Sequence, residues 1–425
     1  MKSSYLTRPF YFLWTTQTAA NAADVLYIMA LTVMVLNRTD SLISAALLPL
    51  MRSGAQMLSS LIAPLLIQRF KLSRLLLLSQ TGQFLLFAWL AIYLKLTGEA
   101  ASLVFVFSLV FVMSFLDGWT TPARNALIPR LVTHEQGLLK ANGLMSVSDQ
   151  VVQFAGWGLS GVVVALIGAS PTLLLTAVIY GLAAAFTLGV YEPTEKQTGA
   201  KELHISSDVL PILKTSRWHT LTEGWKIIWN VPRLRVLTFM DMIDMLGGSI
   251  WVGAFTLAFV QVALGQGEQW WGFINAAYFA GTIAGGLLVI ALARRIGNRY
   301  FAVMMIGMAG YGVLTAFYAL NTEPFIALIF VMLMGPFAEL SMINRRALIQ
   351  SGVTKHLLPK VLSAQASLMH LIFCISLLGM AVLAEYIGIV NLYLFASGLT
   401  ILAIVVGLLN YQAFRHKATS EATVD

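Results

Sequence analysis

The segment Arg124-Asn125-Ala126-Leu127-Ile128-Pro129, followed by Val132-Thr133, returns later in the chain as Arg345-Arg346-Ala347-Leu348-Ile349-Gln350, followed by Val353-Thr354. About half the chain separates the copies, and each lies just after a long apolar run. Register and topology therefore match, and the chain reads as two parallel repeats. Apolar runs of bilayer-spanning length surround both copies and predict twelve helices, at about 10–36, 44–67, 73–96, 101–120, 142–168, 171–191, 234–261, 269–292, 299–320, 325–343, 361–386 and 389–411. The expected fold class is an all-α membrane protein of twelve transmembrane helices in two six-helix repeats. Its expected divisions are an N-terminal bundle over 1–191, a cytoplasmic linker over 192–233, a C-terminal bundle over 234–411 and a polar tail over 412–425. Within the linker, Leu221 to Trp229 reads as a short amphipathic helix able to rest Trp225, Ile228 and Trp229 on a membrane surface.

Composition agrees with that class. Of the 425 residues 58% are hydrophobic and only 11% charged, with a mean hydropathy of +0.79, which excludes a soluble globule. The first run is too long and too polar for a cleavable signal peptide and is expected to stay as an anchor. The lone cysteine, Cys374, falls inside the eleventh span and leaves no partner for an intrachain disulfide or a thiolate metal cluster. Neither a His-Glu-x-x-His nor a Gly-x-Ser-x-Gly pattern occurs. His134, His204, His219 and His356 fall in loops without ligand spacing, so no enzyme, metal or cofactor is expected. The absence of a phosphate-binding loop ending in Gly-Lys-Ser/Thr removes ATP as the direct energy source.

Basic residues alternate between the two sets of loops. One set holds Arg69, Lys71, Arg74, Arg124, Arg130, Lys140, Arg294, Arg295, Arg299, Arg345, Arg346, Lys355 and Lys360, and the other only Arg38 and Lys95. Both termini are then expected in the cytoplasm. The net charge of +8 reads as this topological signal and as a match to anionic lipid headgroups, not as a nucleic-acid surface.

Acids inside the spans carry the functional reading. Asp24 stands near the middle of the first run, where ionisation costs on the order of 3 kcal/mol even on a lenient insertion scale. The repeat offset carries it to the seventh span, where Asp241 and Asp244 share a helical face. Asp24, Asp244, Asp241, Asp117 and Glu339 are the candidates for proton coupling; Asp244 is the deeper of the pair, and Asp241 is either a second coupling acid or a group close enough to the cytoplasmic surface to be solvated. Asp117 and Glu339 occupy nearly equivalent places in spans 4 and 10, as relay members or as ion-pair partners of Arg124 and Arg345. Arg52 either neutralises Asp24 or Asp117 or binds an acidic group on cargo. Candidate cargo contacts are Arg52, Tyr27, Phe115, Trp119, Asp149 and Trp251, a mixture suited to an amphiphilic or aromatic small molecule. Glycines Gly156, Gly158 and Gly161 allow close helix approach in the fifth span.

On these residues the chain resembles the major facilitator superfamily and, within it, the third drug/proton antiporter family, which contains macrolide-efflux-like pumps and exporters of siderophores and peptide antibiotics. Gln17 and Asp24-Val25-Leu26 carry the likeness in span 1. Further along, Pro122 to Val132 with Ala141-Asn142, Glu223-Gly224-Trp225 with Asn230, and Pro232-Arg233-Leu234-Arg235 carry it too. The family's loop between spans 2 and 3 has an acid where this chain has Gln68, with Arg69 and Arg74 retained as conformational residues and Pro64 where glycine is usual. Its proline in span 5 is missing from Gly156-Trp157-Gly158-Leu159-Ser160-Gly161. The resemblance implies the major facilitator fold and a monomeric exporter of the bacterial inner membrane, exchanging protons for a drug-like amphiphile. The alternatives are a dedicated exporter of an endogenous metabolite and a non-transporting sensor.

Overall fold

In the computed structural model the described residues are 6–39, 42–132, 135–191, 217–251, 253–297 and 299–415. The chain is helical almost throughout. The first six spans are α1 (Arg8–Thr39), α2 (Leu42–Arg69), α3 (Leu72–Thr97), α4 (Leu103–Asp117) continued by α5 (Thr120–Leu131), α6 (Glu135–Ile167) and α7 (Ala169–Thr187). After α8 (Arg217–Asn230) come α9 (Pro232–Gly248) with α10 (Gly253–Val262), α11 (Glu268–Ile296), α12 (Tyr300–Leu320), α13 (Pro324–Gly352) and α14 (Leu358–Leu409). The seventh span is broken, its two helices meeting at 58°. The 52 residues of α14 are two spans folded about Gly388, which brings the spans to twelve. The part of the expected linker over 192–216 lies outside the described residues.

Gly388 has φ 78° and ψ 163°, and Gly168, between α6 and α7, has φ 84° and ψ 168°. Only glycine adopts that region without a Cβ clash. Both stand at the same connection of each repeat, between the fifth and sixth spans of either half. The backbone thus repeats a conformation that the surrounding side chains do not.

Around the perimeter the exposed side chains are apolar at helical spacing. Leu85, Trp89 and Ile92 of α3 and Phe325, Ile329 and Leu333 of α13 are about half exposed or more, as a lipid-facing surface requires. Within the first half α1 packs on α6 and α7, and α3 on α7; within the second α11 and α12 pack on α13, and α9 on α14. The halves meet along α6–α11 and α2–α14. One buried cluster draws on both, including Phe10, Leu127, Leu139, Val289, Ile343 and Leu358, at the end where the basic loops gather. The other two large clusters each stay within one half, around Phe87 and Tyr180 or around Phe259 and Tyr393. The halves are fused at the basic end and separate toward the other.

The α11–α13 contact is glycine-dependent. A Cβ on Gly281 would sit 2.0 Å from the Met332 carbonyl oxygen, and one on Gly335 2.2 Å from the Gly281 backbone. Helices without hydrophobic exclusion to hold them rely on such close approach. Gly335→Val is therefore expected to lower the thermal midpoint of the detergent-purified protein and its monodisperse yield. Gly379→Ala, with nothing within 4 Å of the added carbon, leaves both unchanged.

Candidate functional site

Each half encloses an arginine held by two aspartates. In the first, the Arg52 guanidinium of α2 lies 2.8 Å from Asp24 of α1 and 3.7 Å from Asp117 of α4. It also donates to the Tyr27 hydroxyl at 2.8 Å, and the Tyr180 hydroxyl donates to the second oxygen of Asp24. Gln56 Nε2 donates to Asp117 at 2.8 Å. Phe87 stacks between Tyr27 and Tyr180 and walls the cluster on one side. In the second half Arg345 of α13 lies 2.9 Å from Asp241 and 3.4 Å from Asp244, both on α9. Gln365 Nε2 donates to Asp241 at 2.7 Å and the Thr400 hydroxyl donates to Asp244 at 3.0 Å.

The physical reason is the same in both. An ionised group removed from water keeps its charge only when a counter-charge and hydrogen bonds replace the lost solvation. Two acids around one arginine leave each cluster with an excess carboxylate. In the second half that excess faces a hollow. Asp241 is 7% exposed, whereas Asp244 is 28% exposed and held at the longer distance.

Two cavities meet at Asp244. The larger, about 390 Å³, is bounded by Asp241, Asp244, Arg345 and Arg346 together with Pro122 and Asn125 of the first half. The smaller, about 260 Å³, shares Asp244, Arg345 and Met342 with it and extends past Trp251, Tyr278 and Tyr311 to Glu339. Trp251 lies nearly parallel to Tyr278, at 10° and 6.3 Å between ring centres.

Several expectations change. Glu339 does not pair with Arg345. It is 1% exposed and accepts from the Ser146 hydroxyl and, at 3.0 Å, from Gln150 Nε2, both on α6 of the opposite half. Asp117 pairs toward Arg52 instead of Arg124, and Asp241 is buried, not solvated. These shifts share one cause: α13 runs on to Gly352 and α5 covers Thr120–Leu131, so Arg345 and Arg124 are intrahelical where the hydropathy pattern placed them in loops. Trp119 is 4% exposed, packed by Ala63 and Leu75, with Phe115 edge-on against it, and neither lines the two cavities. Asp24, Arg52 and Tyr27 also lie off those cavities, and Asp149 accepts from Asn21. Arg69 and Arg74 are exposed and form no ion pair among the described residues. Gln68 accepts from Thr220 of α8 at 3.2 Å. The same helix pairs Glu223 with Lys360 at 2.6 Å, so it spans the ends of α2 and α14. Gly156 brings α6 against Val25 beside Asp24, while the packing of Gly158 and Gly161 lies outside the described residues. Unforeseen partners include Tyr180, Gln56, Gln365 and Thr400, polar residues inside spans that periodicity alone does not distinguish from packing.

The family model of the Major Facilitator Superfamily matches residues 13–267. The chain belongs to the major facilitator superfamily. It is 31% identical over 407 residues to YfmI of Bacillus subtilis (strain 168), an uncharacterized MFS-type transporter, covering 96% of this chain and 97% of that one. In fold it is similar to a bacterial homologue of the iron transporter ferroportin in an outward-facing state. That match has a TM-score of 0.75 at 14% identity and covers 95% of this chain and 100% of the other. It is likewise similar to the human organic anion transporter MFSD10, with a TM-score of 0.73 at 13% identity over 94% and 98% of the two chains. This superfamily member is thus a multi-pass membrane transporter of a small molecule, not an enzyme.

Replacing Arg345 with Gln strands two acids in the transporter's interior, a change of the kind that costs about 3–5 kcal/mol. Arg345→Gln is expected to destabilise the protein strongly in thermal unfolding, and Asp241→Asn in the same chain to recover part of the loss. Strictly additive effects in that double-mutant cycle would contradict the pairing.

Proposed function

We propose that this transporter exports an amphiphilic small molecule across the bacterial cytoplasmic membrane in exchange for protons, with Asp244 as the exchanging acid. The observation that carries this reading is one arginine shared by two carboxylates on the wall of the larger cavity, the more exposed carboxylate being the more loosely held. When Asp244 is protonated, Arg345 stays on Asp241 and the cluster is neutral. When the proton leaves, the freed carboxylate attracts a polar or cationic part of the cargo, so proton and cargo compete for one group. Trp251, Tyr278 and Tyr311 supply flat apolar surface beside it, and Met342 an adaptable one. Asp241 serves as the fixed counter-ion, and the Asp24–Arg52–Asp117 cluster holds the corresponding place in the first half. Lipid headgroups meet the basic end and both termini lie in the cytoplasm, consistent with the loop charges.

Energetically, one charge moving down 100 mV yields about 2.3 kcal/mol. A tenfold gradient costs about 1.4 kcal/mol, so one proton per cycle sustains roughly a fortyfold gradient of neutral cargo.

In everted membrane vesicles carrying a pH-sensitive dye, addition of an amphiphilic drug is expected to release protons in the wild type and at least about tenfold more slowly in Asp244→Asn. A response of undiminished rate in that variant would remove Asp244 from the coupling role.

A further inference from the structure

Two guanidinium groups between the halves are left without acids of their own. Arg124 of α5 is 6% exposed, and its only hydrogen bond among the described residues is from Nε to the Asn125 side-chain oxygen at 3.4 Å. Both terminal nitrogens are unpartnered among the described residues. Arg346 of α13 borders the larger cavity and, among the described residues, donates only to the Met342 sulfur at 3.6 Å. Neither has a carboxylate within 4 Å among the described residues. Each lies within electrostatic reach of the other and of Asp149, Arg124 also of Asp117, which pairs toward Arg52, and Arg346 also of Glu339. The other two acids, however, are satisfied by neutral donors: Asp149 by Asn21, and Glu339 by Ser146 and Gln150. Arg346 is partly exposed on the cavity wall, so its free donors are open to a ligand, and the planar guanidinium fork suits a two-oxygen acceptor.

We propose that Arg346 and Arg124 form a subsite for an oxyanion, and that the cargo is zwitterionic, its carboxylate on Arg346 and its basic end on Asp244. The claim rests on the reading of the larger cavity as the cargo site. Charge balance along that wall agrees with it. Asp241, Asp244, Arg345 and Arg346 sum to zero, so a purely cationic cargo would leave Arg346 unanswered, whereas a zwitterion answers both ends. Asn125 and Gln350 border the same cavity, and Gln350 Nε2 donates to the Asn125 carbonyl at 2.8 Å, so the subsite is built from both halves while they are closed at the basic end.

The test compares rhodamine 110, which carries a carboxylate, with rhodamine 123, its methyl ester, by fluorescence anisotropy on the purified transporter. Rhodamine 110 is expected to bind about tenfold more tightly to the wild type, and the ratio to fall to near one in Arg346→Gln. Arg124→Gln supplies the same comparison should the first variant not fold. Equal affinities in the wild type, or a ratio that survives both substitutions, would overturn the subsite while leaving the exporter reading intact. If neither dye binds, acetate and inorganic phosphate decide. Thermal stabilisation of the wild type by either, absent in Arg346→Gln, retains the anion subsite and removes the amphiphile reading, and no stabilisation removes both.

Discussion

A charge halfway across a bilayer has no water to fall back on, and the interior of this transporter is arranged by the ways its charges are answered. Arg52 and Arg345 each gather two aspartates from helices otherwise apolar along most of their length. Neutral donors complete the shell: Gln56 and Tyr180 in the first half, Gln365 and Thr400 in the second. An arginine that left either cluster would strand carboxylates in a poorly hydrated interior, so each cluster ties its helices together. Each cluster holds one carboxylate more than its guanidinium balances.

The repeats solve the problem from different helices. In the first half the arginine comes from the second span, in the second from the tenth, although the sequence motif after spans 4 and 10 is shared. Arg124, the motif counterpart of Arg345, reaches no carboxylate at ion-pair distance among the described residues. The two halves are thus alike in backbone, down to the φ of Gly168 and Gly388, and unlike in the helices that supply their charges.

Hydropathy made the spans readable because the lipid solvent demands long apolar runs regardless of what they pack against. The positions of all twelve followed, including the break that Gly388 makes inside α14. Asp24 and Asp244 stood out for the same reason, as polar exceptions in apolar runs. Helix ends were harder. α13 continues to Gly352, beyond the span end expected at 343, which hid Arg345 and Arg346 among the loop cations. Contacts between the halves were invisible for a further reason: Ser146, Gln150 and Glu339 meet only once α6 and α13 are packed, and no periodicity encodes that meeting.

The buried cluster shared by both halves has a thermodynamic consequence. Opening the basic end to water must split it and wet the faces around Leu127, Ile343 and Leu358. Hydration of apolar surface raises heat capacity, so the equilibrium between the two orientations of the carrier curves with temperature, and cooling eases the wetting. Membrane temperature thereby biases the resting orientation of the transporter before any cargo arrives.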